Sequence, residues 1–250
     1  MLRITRLWLY LNLLVLSSLL ATPLLAQVVL GDTSSTNVKP WRPIPNNTCI
    51  FLVPTGFGME KGESYYQNFS LFFNQVHYGV SNELSLGFTF ESLSLFASID
   101  SMKPYSPGFA LSPKVAIPLI EDQLSLGLGA LLVELPNTAV FMDLGFVTGI
   151  LTYGKKDRNI SMGVGFGLVE GEFSVQPTLL LGGHYRVSRK LVLMTETILI
   201  PGPDLFYTSF GLRILGKRLH WDLGWVAVGA ATAPTGDLPL IGLVVPFGRR

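Results

Sequence analysis

The sequence is poor in charged residues. Only 14% of its 250 residues are charged, whereas roughly 25% is usual in soluble proteins. Its mean hydropathy is +0.44, a value that normally indicates membrane helices. Beyond the N-terminus, however, no run of about 18 apolar residues is present that could cross a bilayer as a helix. The two absences together argue against both an ordinary soluble domain and a helical membrane protein.

Cysteine is scarce, and a basic excess is missing. The single Cys49 excludes an intramolecular disulfide framework, and an isolated cysteine is more often inert than catalytic. Without Arg3 and Arg6, the chain carries 16 basic and 17 acidic residues, a net charge of −1. Nothing in this balance favours nucleic acid as a partner.

Motifs for cofactors are absent as well. The stretch ISMGVGFGLVEG (160–171) has the spacing G-x-G-x-G, whereas dinucleotide binding needs G-x-G-x-x-G between a strand and a helix. No G-x-S-x-G nucleophile elbow occurs, and the histidines and carboxylates show no metal-ligand spacing. We therefore expect no cofactor and no metal.

What the N-terminus does contain is a targeting segment. Arg3 and Arg6 precede an apolar core from Leu7 to about Leu20, and a small-residue end follows at Ala26. This layout predicts a signal peptide over residues 1–26 and export from the cytoplasm. Leu24 is not ideal before a cleavage site, so an uncleaved anchor is the alternative.

Two-residue alternation accounts for most of the remaining chain. In LSLGFTFE (84–91) and LHWDLGWVAVG (219–229), apolar residues on one face oppose Gly, Ser, Thr and a few ionisable residues on the other. Such alternation predicts β-strands. Twelve strands are predicted, at about 49–58, 65–80, 84–96, 108–120, 123–134, 138–154, 159–171, 174–188, 191–201, 205–216, 219–230 and 238–247.

The contrast between the two faces decides the type of sheet. A soluble sandwich needs a charged outer face, but here the second face is small and weakly polar. The pattern fits strands of a membrane barrel, whose apolar residues face lipid and whose small or polar residues face a lumen. The sequence predicts an all-β fold, a single antiparallel up-and-down transmembrane β-barrel of about 12 strands (10–14), over residues 49–250. Residues 27–48 carry three prolines and no periodicity, and are expected to form a periplasmic tail or a lumenal plug.

Several stretches carry a resemblance to a known group of proteins. They are PTGFGMEKGESYYQN (54–68), YGVSNELSLGFTFE (78–91), SPKVAIPL (112–119), TYGKKDRNISMGVGFG (152–167) and GLRILGKRLHWDLGW (211–225). Together they resemble an uncharacterised family of outer-membrane β-barrels of Bacteroidetes-type bacteria. The resemblance implies a membrane barrel located in the bacterial outer membrane, and it implies no activity and no functional residues.

The candidate site lies on the lumen-facing side of the strands. Its ionisable residues are Glu91, Asp143, His184, Arg186, Glu196, Arg213, His220 and Asp222. They fit an ion-pair network that stiffens the lumen, a lining that selects solutes or, with His220 beside Asp222, a catalytic site. Gly163, Gly165 and Gly167 would form a strip of lumen wall without side chains, leaving room for the N-terminal segment, long charged side chains or a solute.

These observations favour a non-enzymatic function. We expect a narrow passive conduit for a small or amphipathic solute, or a structural barrel. The alternative is an outer-membrane enzyme of the acyl hydrolase or transferase type with a lumenal or rim site, and short loops disfavour an adhesion barrel. The expected partners are outer-membrane lipid and the barrel assembly machinery.

Overall fold

The computed structural model describes residues 41, 43–92, 108–134, 144–169, 171–201, 205–230 and 233–248. The predicted signal peptide, residues 27–40 and Asp143 lie outside them. Within the described residues the chain forms β-strands and no helix. The strands are β1 Glu63–Phe69, β2 Phe73–Gly79, β3 Leu84–Glu91, β4 Phe109–Ile120, β5 Leu124–Glu134, β6 Leu144–Lys155, β7 Arg158–Val169, β8 Glu172–Phe173, β9 Thr178–Arg186, β10 Leu191–Ile200, β11 Leu205–Leu215, β12 His220–Ala230 and β13 Ala233–Gly248.

The strands close into a cylinder. Each long strand pairs antiparallel with the next one along the chain, and β13 returns to pair with β1 from Glu63↔Gly248 to Phe69↔Gly242. The two-residue β8 pairs only with the end of β7, while β9 continues the wall beside β7. Twelve long strands therefore form a closed antiparallel barrel, and the predicted fold class is confirmed.

The two faces of the wall are inverted relative to a soluble protein. Met162 and Trp221 lie exposed on the outside, as do most large apolar side chains of the strands. Ser161 and Ser209 are fully buried on the inside. Closure pairs every strand edge, which lipid requires because an unpaired backbone group in hydrocarbon costs several kcal/mol. The small and polar inward residues leave space in the lumen.

Short charged turns collect at one end of the barrel. They connect β2 to β3, β4 to β5, β6 to β7, β9 to β10 and β11 to β12. Glu63 and Gly248, the first and last residues of the wall, lie at the same end because β1 and β13 pair there. We call this end of the barrel the short-turn end.

One predicted strand is in fact two. Residues 65–80 contain a hairpin, in which β1 and β2 are joined by a turn at residues 70–72. Ser70 and Leu71 adopt left-handed backbone conformations, with φ of 51° and 67°. Such conformations are uncommon outside glycine, asparagine and aspartate, so the apolar sequence FSLFF gave no turn signal and the prediction of one continuous strand is wrong.

The predicted strand at 49–58 is also wrong. This stretch has only an isolated bridge between Cys49 and Pro54, and it lies inside the barrel rather than in its wall. The wall begins at Glu63, which corrects the predicted boundary at residue 49. The total of twelve was right only because the lost strand at 49–58 is compensated by the extra strand within 65–80.

Smaller differences concern strand ends. The strand predicted at 174–188 begins at Thr178, after the separate β8. The strand predicted at 238–247 extends over Ala233–Gly248. The first residues of the predicted strand 138–154 lie outside the described part of the chain.

Candidate functional site

Residues 43–59 form a plug inside the barrel, and we refer to them below as the plug. Ile44, Ile50 and Phe51 are almost completely buried and pack in one apolar cluster with the inward side chains of β10 to β13. Burying a side chain of this size contributes about 1.5–3 kcal/mol relative to leaving it in water. Residues 27–48 were expected to form either a periplasmic tail or a lumenal plug. Their described part from residue 43 onward lies in the lumen.

Glu196 on β10 holds the tip of the plug. Its carboxylate accepts hydrogen bonds from three successive backbone N–H groups, those of Phe51 at 3.0 Å, Leu52 at 3.0 Å and Val53 at 2.9 Å. The side chain is fully buried. Charge-assisted bonds of this kind are the stronger class of hydrogen bond, so the plug backbone replaces the water that the carboxylate loses on burial.

Arg213 on β11 is the second anchor. Its guanidinium donates from Nε and Nη2 to the two carboxylate oxygens of Asp222, at 2.6 and 2.7 Å. Its Nη1 donates to Oδ1 of Asn46, and Nη2 also donates to the carbonyl of Ile50 at 3.0 Å. The ion pair therefore orients the guanidinium so that it binds one side-chain oxygen and one backbone carbonyl of the plug.

The opposite wall also holds the plug. Lys114 on β4 donates from Nζ to the carbonyls of Thr48 at 3.0 Å and Phe57 at 2.7 Å. The backbone N–H of Gly56 donates to the hydroxyl of Thr152 on β6 at 2.6 Å. Because these contacts lie across the barrel from Glu196 and Arg213 in strand order, the plug bridges the lumen.

Beside the plug remains a cavity of about 350 Å³, within the range of small-molecule pockets, about 300–1,000 Å³. Its lining is divided by chemistry. The polar wall comes from β2, β3 and β4 and consists of Gln75, His77, Ser85, Thr89, Ser112 and Lys114. The apolar wall comes from β5, β6, β9 and β10 and includes Leu131, Phe146, Ile150, Leu180 and Ile198. The tip of the plug, Leu52 and Val53, completes it.

The other predicted site residues are dispersed. Glu91 lies at the end of β3 away from the short-turn end, where it accepts a bond from the N–H of Gly108 at 3.1 Å. Arg186 pairs with Asp157 of the β6–β7 turn at 3.0 Å and lies over the ring of Trp41 at 4.8 Å. Nε2 of His184 lies 2.9 Å from the carbonyl of Lys156. Among the predicted site residues that the structure describes, Glu196 and Arg213 are hydrogen-bonded to the plug, and Asp222 is paired with Arg213.

His220 and Asp222 do lie on one inward face of β12. The carboxylate of Asp222, however, is bonded through both oxygens to Arg213. A catalytic carboxylate would instead orient the histidine. The arrangement assigns Asp222 to holding Arg213.

Two glycines of the strip, Gly163 and Gly165, are covered by neighbouring side chains. A β-carbon on Gly163 would collide with Cγ1 of Ile150, and one on Gly165 would collide with the ring of Phe146. Both neighbours belong to β6 and both line the cavity. Beside Gly163 and Gly165, the absence of a β-carbon lets these two apolar side chains lie against the wall.

Gly163→Ala is therefore expected to destabilise the barrel by about 1–3 kcal/mol, the usual cost of overpacking. The added methyl would also lie 2.6 Å from the carbonyl oxygen of Gly149, which is backbone and cannot rotate away. Gly167→Ala is the matched control, because its nearest neighbour is the side chain of Ser174 at 3.8 Å. Urea unfolding of both variants in detergent measures the difference, and equal stabilities would contradict the assignment.

Several plug contacts were missed from sequence. Lys114 lies mid-strand on the small-residue face of β4, between Ser112 and Ala116, so its inward direction was readable from the alternation. Thr152 and Asn46 carried no signal, since threonine and asparagine are ordinary in such positions. Among the described residues, no helix is long and apolar enough to cross a membrane, and no group of three His, Cys, Asp or Glu is placed to hold a metal ion.

Comparison with known proteins gives structural likeness only. No protein-family model and no curated protein sequence matches this chain. Among solved structures, the chain is similar to the NanC porin, with 11% identity, a TM-score of 0.48 and coverage of 74% of this chain and 98% of that one. It is also similar to the CymD monoaromatic hydrocarbon channel, with 9% identity, a TM-score of 0.43 and coverage of 76% and 90%. A further similar structure is OccAB4 of Acinetobacter baumannii, with 9% identity, a TM-score of 0.38 and coverage of 76% of this chain and 57% of that one.

Proposed function

We propose that this chain is a bacterial outer-membrane β-barrel that passively conducts a small or amphipathic solute. The observation that carries the proposal is the cavity beside the plug. Twelve strands enclose more space than eight, which close around packed side chains, and less than the 16 to 18 strands of an open aqueous channel. A lumen of this size, partly filled by the plug, supports a narrow path.

The plug sets the width of that path. Its contacts with the wall are hydrogen bonds and apolar packing, with no covalent link, because the single Cys49 of the sequence forms no disulfide. Solute would therefore move through the cavity and past the plug. An enzymatic function finds no support in the site, since Asp222 is bonded to Arg213 rather than set to activate a nucleophile.

The test is to fill the cavity without changing the outer surface. Thr148 lines the cavity from β6, whereas the neighbouring Val147 is exposed on the outer face. We expect Thr148→Trp to reduce the flux of small solutes into liposomes to a small fraction of the wild-type value. Val147→Trp places the same side chain in lipid and should leave flux unchanged.

Heat-modifiable migration on gels verifies that both variants are folded. Flux that is absent in the wild type, or equal in the two folded variants, would contradict a path through the cavity.

A further inference from the structure

We propose that the cavity beside the plug binds an amphipathic monoanion, with its anionic head at Lys114 and its hydrophobic body against the apolar wall. This inference rests on the proposed function in that the bound molecule would be the conducted solute. The site itself stands on three separate features of the lumen: a divided lining, a cation without an acidic partner and the polar groups around that cation.

The first feature is the separation of the two walls. Six polar side chains of the lining, Lys114 among them, come from β2, β3 and β4, and the large apolar ones come from β5 to β10 and the plug. The polar side chains elsewhere in the lining are neutral: Thr48, Cys49 and Thr55 of the plug and Thr148 of β6. Water alone would leave Leu131, Phe146 and Ile198 poorly solvated, while a fully apolar ligand would leave the hydroxyls opposite without partners. Only a molecule with a polar end and an apolar body satisfies both walls.

The second feature is the charge of Lys114. Among the described residues no carboxylate forms an ion pair with it, and its partners are two backbone carbonyls of the plug. An ammonium group has three donors, so one N–H is left to bind a ligand. The side chain is half-buried beside the cavity. Charges withdrawn from water are normally paired, and an anion in the cavity would supply the missing charge.

The third feature is the polar surroundings of this cation. Gln75, His77 and Ser112 line the same wall, and the His77 ring is held by stacking on Tyr65 with centroids 4.7 Å apart. These groups add hydrogen-bond partners for a head group while carrying no acidic side chain. The wall therefore favours a carboxylate or sulfonate over a cation or a purely neutral head.

Decanoate is a suitable probe, with decanol and decyltrimethylammonium as neutral and cationic probes of the same chain length. A cysteine in place of Leu131 on the cavity wall, in a Cys49→Ser background, reports occupancy through protection from a small neutral thiosulfonate reagent. The protein is refolded in non-ionic detergent. Val147→Cys in the same background, on the outer face, reports any effect of the probes on the micelle.

We expect decanoate to protect the Leu131→Cys thiol at a concentration about tenfold lower than decanol, as one charge-assisted hydrogen bond provides. Decyltrimethylammonium should protect least. Lys114→Gln should remove the preference for decanoate, and Lys114→Arg should keep it. Equal protection by the three probes, or best protection by the cation, in the protein that retains Lys114 would overturn the inference even if the Lys114 variants fail to fold.

The two proposals fail separately. Selective protection by decanoate without solute flux in liposomes would leave the anion site standing and contradict the conduit. Flux that depends on Thr148, without any preference among the three probes, would leave the conduit standing and contradict the anion site.

Discussion

Arg213→Met is expected to lower the free energy of unfolding by about 3–5 kcal/mol, the cost of removing one partner from a buried ion pair. Arg213 and Asp222 are both almost fully buried. Removing the guanidinium leaves the Asp222 carboxylate as an uncompensated charge in the lumen wall. It also leaves Oδ1 of Asn46 and the carbonyl of Ile50 without this donor.

Urea unfolding in detergent, followed by the gel shift of the folded barrel, measures the loss. Arg213→Met combined with Asp222→Leu should recover a large part of it, since an apolar pair leaves no buried charge. Lys155→Met is the surface control: its contact with Asp122 is 3.8 Å long and both side chains are exposed, so the change should stay within about 1 kcal/mol. A loss of that small size in Arg213→Met would show that Asp222 is solvated and would contradict the buried pair.

Glu196→Leu is expected to release the plug from the wall. The substitution removes the acceptor for three successive N–H groups, and each buried donor left without a partner costs about 1–3 kcal/mol. The freed N–H groups recover these bonds from water, so the barrel stays folded while the tip of the plug at residues 51–53 leaves the wall. We therefore expect the substitution to increase access to the lumen and to have little effect on the stability of the barrel wall.

Cys49 reports this change directly. Burial raises the pKa of its thiol to about 11, so the wild-type protein holds very little thiolate at neutral pH and reacts slowly. In Glu196→Leu the pKa returns towards about 8.5–9, and the thiolate fraction at pH 7.4 rises by about 100- to 300-fold. Labelling by iodoacetamide should accelerate accordingly. Glu172→Leu, the same substitution at an exposed residue, should label as slowly as the wild type, and an unchanged rate in Glu196→Leu would mean that Glu196 does not retain the plug.

The barrel wall could be predicted because its pattern is local. In β7 and β12 the two-residue alternation, with Gly, Ser or an ionisable group inward, fixes which face meets lipid. The β1–β2 hairpin escaped because Leu71 adopts a positive φ without any of the residues that usually mark such a turn. The plug was an alternative for residues 27–48 only, and its continuation through residues 49–59 was missed because residues 49–53 are apolar on both faces. That composition fits neither lipid-facing nor lumen-facing strands, and it was the available sign that this stretch is not part of the wall.

Only the part of the site that the barrel strands contribute could be predicted from the sequence. Alternation placed Glu196, Arg213 and Asp222 on the inward face, and the cross-strand register then brought Arg213 opposite Asp222. The partners of Glu196 are backbone N–H groups more than 140 residues earlier in the chain. Backbone groups have no sequence signature, so periodicity could not show that Glu196 and Arg213 also hold a plug.

Passage of solute through a lumen narrowed by the plug can be measured as the unitary conductance of the refolded protein in planar bilayers. We expect small discrete steps for the wild type, larger steps for Glu196→Leu and smaller steps for Thr148→Trp, with Val147→Trp equal to the wild type. No steps in the wild type, or the same conductance in the wild type and in Glu196→Leu, would contradict it.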